Sequence, residues 1–314
     1  MLREFRPSDA EAFFQLMRSQ FPEEEALLGS RPEGLRDVVR RVYRWDYRLV
    51  LGLLRILGRP VFRFFVVEDS GKLAGVALLT YTQEAGYISE VVVDPAYRRR
   101  GHARRVVEAC LSGAKASGRR YGVLDVLVGN APARALYDKL GFQPLRSKSY
   151  MVKDLPAGRR GAGAGLPRNG RAFRRADAAA LQKVLERDLP DRVLKVLPVE
   201  RGAFSVPQVV AYGLGATTDA WVIDVGRGAE AFVRASVSTA MAAGNLTCPV
   251  IGPGVSDEGA RQMVEYGLGW IAERGAPRVL SEVPDYAPRA KAALEAAGFV
   301  ASYPLLTLYR DLGA

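Results

Sequence analysis

Apolar and polar residues follow two different periods along the first half of the chain. Runs rich in β-branched and aromatic residues predict strands at 3–6, 62–68, 73–80, 86–93, 123–128 and 149–153. Apolar positions at helical spacing predict helices at 33–57, 104–117 and 132–140, and another that follows the cap residues Ser8 and Asp9 and ends near Phe21. This order predicts a mixed α/β (α+β) fold, with a mixed central sheet flanked by helices.

The same pattern begins again after residue 168. The run Arg-Glu-Phe-Arg at 3–6 recurs as Arg-Ala-Phe-Arg at 171–174, and Lys-Asp-Leu at 153–155 recurs as Arg-Asp-Leu at 310–312. Between the copies, 156–168 is dense in glycine and has no periodicity, which is typical of a linker. The sequence therefore predicts two copies of one fold, at 1–155 and 169–314, joined by that linker.

Size and composition narrow the class of protein. A chain of 314 residues can hold two ordinary domains. It has no apolar run long enough to cross a bilayer, and its N-terminus lacks the apolar core of a signal peptide, so we expect a cytoplasmic protein. The cysteines, Cys110 and Cys248, fall in different copies, and His102 is the single histidine. Neither a disulfide framework, a histidine-dependent triad nor a metal site is expected.

The positive charge is concentrated in the first copy and the linker. Of the net charge of +11, residues 1–155 carry 26 Lys and Arg against 18 Asp and Glu, and the linker adds three arginines. The second copy is balanced, with 16 of each sign. Nucleic acid is ranked last among the partners that such charge could attract, because no nucleic-acid-binding fold is recognisable.

A phosphate-binding loop is predicted between the strand that ends at Val93 and the helix that begins near Arg104. Asp94 and Pro95 end the strand, three arginines follow at 98–100, and Gly101 is small enough to let backbone N–H groups approach an anion. The positive end of the helix dipole lies at the same place. A solvated basic helix start is the alternative.

Two motifs carry a resemblance to a known family. Arg98-x-x-Gly101-x-Ala103 resembles the R/Q-x-x-G-x-G/A signature of the GNAT superfamily of N-acetyltransferases, and Asn130-x-x-Ala133-x-x-Leu136-Tyr137 is similar to the family's next block. The resemblance implies two tandem GNAT (acyl-CoA N-acyltransferase) folds and acetyl-CoA as the cosubstrate. It also implies a set of cofactor-binding residues, namely Val91, Val92, Val93, Arg98, Arg99, Arg100, Gly101, His102, Ala103, Arg104, Asn130, Ala133 and Tyr137.

The resemblance also implies chemical roles. A backbone N–H in 91–93 would bond the acetyl oxygen, Asn130 would contact the pantetheine arm, and Tyr137 would be the general acid for the sulfur. Tyr137 as a core aromatic residue is the alternative. Glu90 is the candidate base, with Tyr87 or Ser89 on the same strand, or a structural salt bridge of Glu90, as the other interpretations.

The acceptor is less well indicated. Segment 33–57 has a basic face and the aromatic residues Tyr43, Trp45 and Tyr47, and in the resembled family it forms one wall of the acceptor site. Such a wall would favour an acidic or amphiphilic acceptor. Arginines that are merely solvated, or a helix that binds a membrane surface, are the alternatives.

The second copy keeps the fold pattern and loses the chemistry. At the spacing that aligns the copies, the loop at 98–101 falls on Val-Ser-Asp-Glu at 255–258, Asn130 falls on Ala287, and Tyr137 falls on Leu294. Carboxylates in the loop would repel a pyrophosphate, so we expect a degenerate second copy.

The predicted function is acetyl-CoA-dependent acetylation of a primary amine on a small molecule, peptide or protein, with the chemistry in the first copy. The alternative is an acetyl-CoA sensor whose second copy binds a partner. The two copies would form a pseudo-dimer within one chain, and both a monomer and a homodimer stay open.

Overall fold

The computed structural model describes residues 1–20, 61–156, 165–200, 202–204, 216–238 and 241–313. The predicted helix at 33–57, with its basic face and aromatic wall, lies outside the described residues, as does most of the predicted linker.

Strands form where the sequence alternates or carries β-branched runs. In the first half they are β1 (Leu2–Glu4), β2 (Phe62–Asp69), β3 (Lys72–Tyr81), β4 (Ala85–Val93), β5 (Tyr121–Leu127) and β6 (Gln143–Asp154). In the second half they are β7 (Gly170–Ala172), β8 (Ala216–Asp224), β9 (Ala229–Ser238), β10 (Gly244–Leu246), β11 (Val250–Ile251), β12 (Arg278–Pro284) and β13 (Val300–Asp311).

Helices flank these strands in both halves. The described helices are α1 (Ala10–Gln20), α2 (His102–Ala116), α3 (Ala131–Lys139), α4 (Ala178–Asp188), α5 (Asp191–Val196), α6 (Asp257–Glu273) and α7 (Pro288–Ala296). Within the described ranges, none of these helices combines the length and apolar character that a membrane crossing requires.

Most predicted elements differ from the structure by one or two residues at an end, and two of the differences have a clear physical reason. The helix expected from Arg104 already begins at His102, because Gly101 in a left-handed conformation supplies the N-cap. The strand expected at 149–153 extends from Gln143 to Asp154. It is longer because it is paired on both sides, with β13 and with β12, so that neighbouring backbone bonds stabilise its whole length.

The two halves share one sheet, because their last strands are exchanged. The strand order is β1-β2-β3-β4-β5-β13-β6-β12-β10-β9-β8-β7, with β11 paired to β9 off this path. Thus β13 lies beside β5 of the first half, and β6 lies beside β12 of the second half. The sheet therefore runs without a break across the sequence limits predicted for the two copies.

The copies of the sequence pattern are also copies in structure. A spacing of 157 residues relates β5 to β12, α3 to α7, and β6 to β13, each with the same length in both halves. The fold is a mixed α/β fold repeated in tandem, as predicted.

Each face of the central sheet is covered differently. On one face, α2 and α3 pack on β3 to β5 through a core that includes Val106, Leu124 and Tyr137. On the other face, Val193 and Val196 of α5 pack against the first half's strands. The second half thus covers one face of the first half's sheet, next to the strands on which the site residues lie.

Candidate active site at the opening between two parallel strands

Strands β4 and β5 begin as a parallel pair and then separate. Their pairing runs from Ala85 opposite Tyr121 to Ile88 opposite Leu124, although β4 continues to Val93. Glu90 has a positive φ of 52°, and the register between β3 and β4 shifts at the same point, which marks a bulge. An opening therefore lies between the carboxyl ends of β4 and β5.

The predicted phosphate loop leads directly from that opening into α2. Asp94 accepts a hydrogen bond from the backbone N–H of Ala96 at 2.8 Å, which starts a tight turn. Gly101 then has φ of +80°, and a Cβ placed there would meet no atom within 4 Å. No side chain of the described residues caps α2, so its first N–H groups face an open cradle there. This local geometry fits a phosphate group.

The arginines around the loop are exposed, and several are anchored. The guanidinium of Arg100 lies 5.2 Å from the ring centroid of Tyr97 and 3.3 Å from the Asp69 carboxylate. Arg98 bonds the Gln20 side chain, and Arg104 pairs with Glu108 at 2.8 Å. Arginine side chains therefore lie around the cradle, and those of Arg100 and Arg104 are paired with carboxylates.

His102 is buried below the loop. Its Nε2 lies 2.9 Å from the carboxylate of Asp69, at the end of β2, and this bond is the main cause that lowers the pKa of Asp69. Because the imidazole is engaged with Asp69, the expected contact between His102 and the cofactor rests on its backbone N–H.

Asn130 caps α3. Its Oδ1 accepts a hydrogen bond from the backbone N–H of Ala133 at 3.2 Å. This capping bond gives Asn130 a structural role at the start of α3, next to the carboxyl end of β5. The two residues of the motif that the sequence singled out are thus brought into direct contact.

Tyr137 is both part of the core and suited to keep its proton. It packs edge-on against Phe142, with ring centroids 5.8 Å apart. Burial, and then the neighbouring Cys110, raise the pKa of Tyr137 to about 12. The hydroxyl is therefore protonated at neutral pH, as a general acid must be.

The strand residues considered as bases differ in their surroundings. Glu90 lies at the bulge and is partly exposed. Tyr87 donates a hydrogen bond to the carboxylate of Asp125. Burial and then Asp125 raise the pKa of Tyr87 well above its usual value, so that Tyr87 is a donor and cannot serve as a base at neutral pH.

A polar cluster that sequence reasoning missed lies beside Tyr87. Its centre is Asp125 on β5, which accepts hydrogen bonds from Tyr87 and from Thr307 Oγ1 at 2.6 Å, and pairs with Lys148 at 2.5 Å. Lys148 also pairs with Glu282 of β12 at 2.6 Å. A lone carboxylate within the apolar strand 121–127 was the available signal, but its partners Thr307 and Lys148 come from the exchanged strands.

The corresponding loop of the second half is closed by the protein itself. Ser256 caps α6 by accepting from the backbone N–H of Gly259 at 3.1 Å. The Glu230 carboxylate accepts from the N–H of Gly254 at 2.7 Å, so a carboxylate of the chain occupies the loop. Asp257 lies in the first turn of α6. This arrangement leaves no uncapped helix end comparable to that of α2.

No metal centre is found in the described ranges, where no three His, Cys, Asp or Glu side chains are grouped to hold an ion. Cys110 and Cys248 are both free thiols.

The class of protein follows from the opened parallel strands, the uncapped loop and the tandem repeat, which together form an acyl-CoA acyltransferase fold. Over the whole chain, the fold is similar to that of a tandem GNAT protein from the clavulanic acid biosynthesis pathway, with a TM-score of 0.63, 16% identity and 99% of that protein covered. It is also similar to a GCN5-related N-acetyltransferase from Sphaerobacter thermophilus, with a TM-score of 0.65, 15% identity and 96% covered, again over the whole chain.

Sequence comparison finds related proteins for the first half of the chain. Residues 11–142 match the model of the acetyltransferase (GNAT) family. A stretch of 92 residues, which is 29% of this chain, is 32% identical to the [ribosomal protein bS18]-alanine N-acetyltransferase of Escherichia coli K12. The match covers 62% of that protein. The chain spans less than two thirds of the length of the curated relatives that it matches. This family match covers less than half of the chain, and the whole chain has a tandem GNAT fold.

Proposed function

We propose that the chain is an acetyl-CoA-dependent N-acetyltransferase that transfers the acetyl group to a primary amine, with the chemistry in the first half. The observation that carries this proposal is the uncapped N-terminus of α2, with Gly101 in a left-handed conformation, at the opening between β4 and β5. Acetyl-CoA is the donor of this family, and its pyrophosphate fits a cradle of backbone N–H groups surrounded by arginines.

In this proposal the first half supplies each chemical need. The amine nitrogen attacks the thioester carbonyl, and backbone N–H groups of 91–93 stabilise the developing oxyanion. The carbon–sulfur bond then breaks, and Tyr137 gives its proton to the thiolate. Glu90, at the bulge in β4, accepts the proton that leaves the amine. The pKa of Tyr137 near 12 supports its role, since the group enters the reaction protonated.

The second half, in the same proposal, does not bind acetyl-CoA. Ser256 caps α6, Glu230 occupies the loop, and Leu294 stands where the first half has Tyr137. We keep the division of the chain into an active copy at 1–155, a linker at 156–168 and a degenerate copy at 169–314. The second copy would help to shape the acceptor site.

The acceptor class is proposed as a primary amine on a small molecule, peptide or protein. The Escherichia coli relative is named for acetylation of an alanine of a ribosomal protein, which supports a peptide or protein amine. A cytoplasmic location would suit such an acceptor.

Calorimetric titration with acetyl-CoA tests the proposal. We expect one site per chain, lost in the double variant Arg98→Ala with Gly101→Glu and kept in a matched second-half variant, Asp257→Ala with Glu258→Ala. Two sites would refute the degenerate second copy, and no binding would refute the enzyme. Binding without acetyl transfer to any amine in a broad panel would favour the sensor.

A further inference from the structure

Arg146 occupies an unusual position in the polar cluster at the centre of the shared sheet. Asp125, Thr307 and Arg146 are direct cross-strand partners on β5, β13 and β6, so that their side chains share one face. Arg146 donates from Nε to Thr307 Oγ1 at 3.4 Å and from a terminal nitrogen to the hydroxyl of Tyr286 at 2.6 Å. Thr307 and Tyr286, which accept these two hydrogen bonds, both belong to the second half of the chain.

Among the residues that the structure describes, these two bonds leave most of the guanidinium without a partner. A guanidinium has five N–H donors, and two are used here, both on neutral hydroxyls. The carboxylates of the cluster, Asp125 and Glu282, both pair with Lys148 instead. Within the described part of the chain, Arg146 has no carboxylate as an ion-pair partner, although its side chain is half-buried.

A half-buried arginine remains charged at any pH near neutrality, and removing its charge from water is costly unless an anion compensates. The two hydroxyls fix the orientation of the planar fork, and the nearby carboxylates of Asp125 and Glu282 stabilise its charge without forming an ion pair with it. A carboxylate or phosphate would bind such a fork through two parallel charge-assisted hydrogen bonds. The surrounding titratable groups are Asp125, Glu282, Tyr87, Tyr286 and Cys248, together with the cation Lys148.

We infer that Arg146, oriented by Tyr286 and Thr307 of the second half, binds an anionic group of the acceptor. This inference rests on the proposed function, and it makes the second half a part of the acceptor site. It also defines the acceptor class as a primary amine that carries a carboxylate or similar anion on the same molecule.

The sheet geometry sets the separation between the amine and that anion. From β4 the strand order passes through β5 and β13 to β6, and neighbouring strands lie about 4.8 Å apart. The opening between β4 and β5 is therefore about 12 Å from the backbone of Arg146, measured across the sheet. An extended peptide covers that distance in about three residues.

The test uses two tripeptide amides, Ala-Ala-Glu and Ala-Ala-Gln, which differ only in one charge. Their binding is measured by calorimetry with coenzyme A present, so that no acetyl group is transferred. We expect wild-type protein to bind the glutamate peptide about tenfold more tightly. In Arg146→Gln the preference should fall below about twofold, whereas the control Arg192→Gln, an exposed cation on α5, should keep it.

Tyr286→Phe provides a second variant that leaves the charge in place and removes one of its two supports. We expect a preference between those of wild type and Arg146→Gln, and unchanged acetyl-CoA affinity would show that each variant is folded. Equal affinity of wild type for both peptides, a preference that survives Arg146→Gln, or no binding of either peptide would overturn the inference.

Failure of the proposed function would look different. If the glutamate preference depends on Arg146 but no peptide is acetylated when acetyl-CoA is supplied, the anion site stands and the enzyme assignment falls. If the peptides are acetylated without any dependence on the glutamate, the enzyme assignment stands and the anion site falls.

Discussion

The change of Gly101 to alanine separates a structural role of the phosphate loop from a binding role. Gly101 is the N-cap of α2 with φ of +80°, and Gly118, just beyond the other end of the same helix, has φ of +72°. A Cβ at either position would meet no atom within 4 Å, so neither substitution causes a clash. Both place an alanine in a left-handed conformation, and the two variants form a matched pair.

The cost to stability should be similar in the two variants. A left-handed conformation costs a residue with a Cβ about 1 to 2 kcal/mol, part of which is offset by the smaller entropy of the unfolded alanine chain. We therefore expect each variant to lose about 1 kcal/mol of unfolding free energy. Only Gly101→Ala puts a methyl group into the cradle, where it would separate a phosphate from the backbone N–H groups.

Loss of one charge-assisted hydrogen bond corresponds to about 1.5 to 3 kcal/mol, or roughly ten- to a hundredfold in affinity. Calorimetry with acetyl-CoA should show this loss for Gly101→Ala and wild-type affinity for Gly118→Ala, with denaturant unfolding as the stability measurement. If Gly101→Ala binds acetyl-CoA as tightly as Gly118→Ala, the cradle is not the phosphate site.

Three further substitutions test acid catalysis by Tyr137, core packing in the second half and stability at low pH. Tyr137→Phe should lower kcat about a hundredfold at unchanged acetyl-CoA affinity. In the wild-type enzyme, any decline of kcat caused by deprotonation of Tyr137 should occur near pH 12. A decline below pH 9 that is assigned to Tyr137 would contradict its role as general acid. Leu294→Ala removes a fully buried side chain of the second half and should cost about 2 to 5 kcal/mol of unfolding free energy in denaturant, with the number of acetyl-CoA sites unchanged; a loss under about 1 kcal/mol would mean that the site is loosely packed. Hydrogen bonds from Arg171 lower the pKa of Asp177, so its contribution to stability is present above the ordinary pKa of about 4 and is lost as pH falls through the lowered value. The stability of Asp177→Asn, measured by acid unfolding with circular dichroism, should therefore depend less on pH below about pH 4. If its pH dependence equals that of the wild type, Asp177 does not contribute to acid unfolding.

Local features were predictable because they depend on neighbours in sequence. The strand that ends at Val93, the turn at Asp94 and Gly101 before α2 were identified from residue type and order. Asn130 was singled out by the motif that carries the resemblance, and its role as the cap of α3 comes from the structure. The repeat was equally visible, since a constant spacing of 157 residues aligns the ends of both halves. These signals lie within a few residues of each other, or in a simple repetition.

Some side-chain roles were not predictable for the same reason. The sequence placed His102 in a phosphate loop, but its partner Asp69 comes from another hairpin. Asp125 looked like a polar interruption of an apolar strand, and only the folded sheet brings Thr307 and Lys148 to it. Burial and charges from residues distant in sequence also raise the pKa values of Tyr87 and Tyr137, and both keep their protons at neutral pH.

The sequence by itself determined that the chain contains two copies of a GNAT-like pattern and that only the first keeps the basic glycine loop. The tertiary structure alone decided that the last strands are exchanged. Both β6 and β13 have the same length and occupy the same place in the repeat, so either could pair with β5 by local pattern. Pairing β13 with β5 places Thr307 opposite Asp125, and pairing β6 with β12 carries Lys148 to Glu282. The polar cluster between the halves exists because strand pairing, unlike helix capping, depends on contacts far apart in sequence.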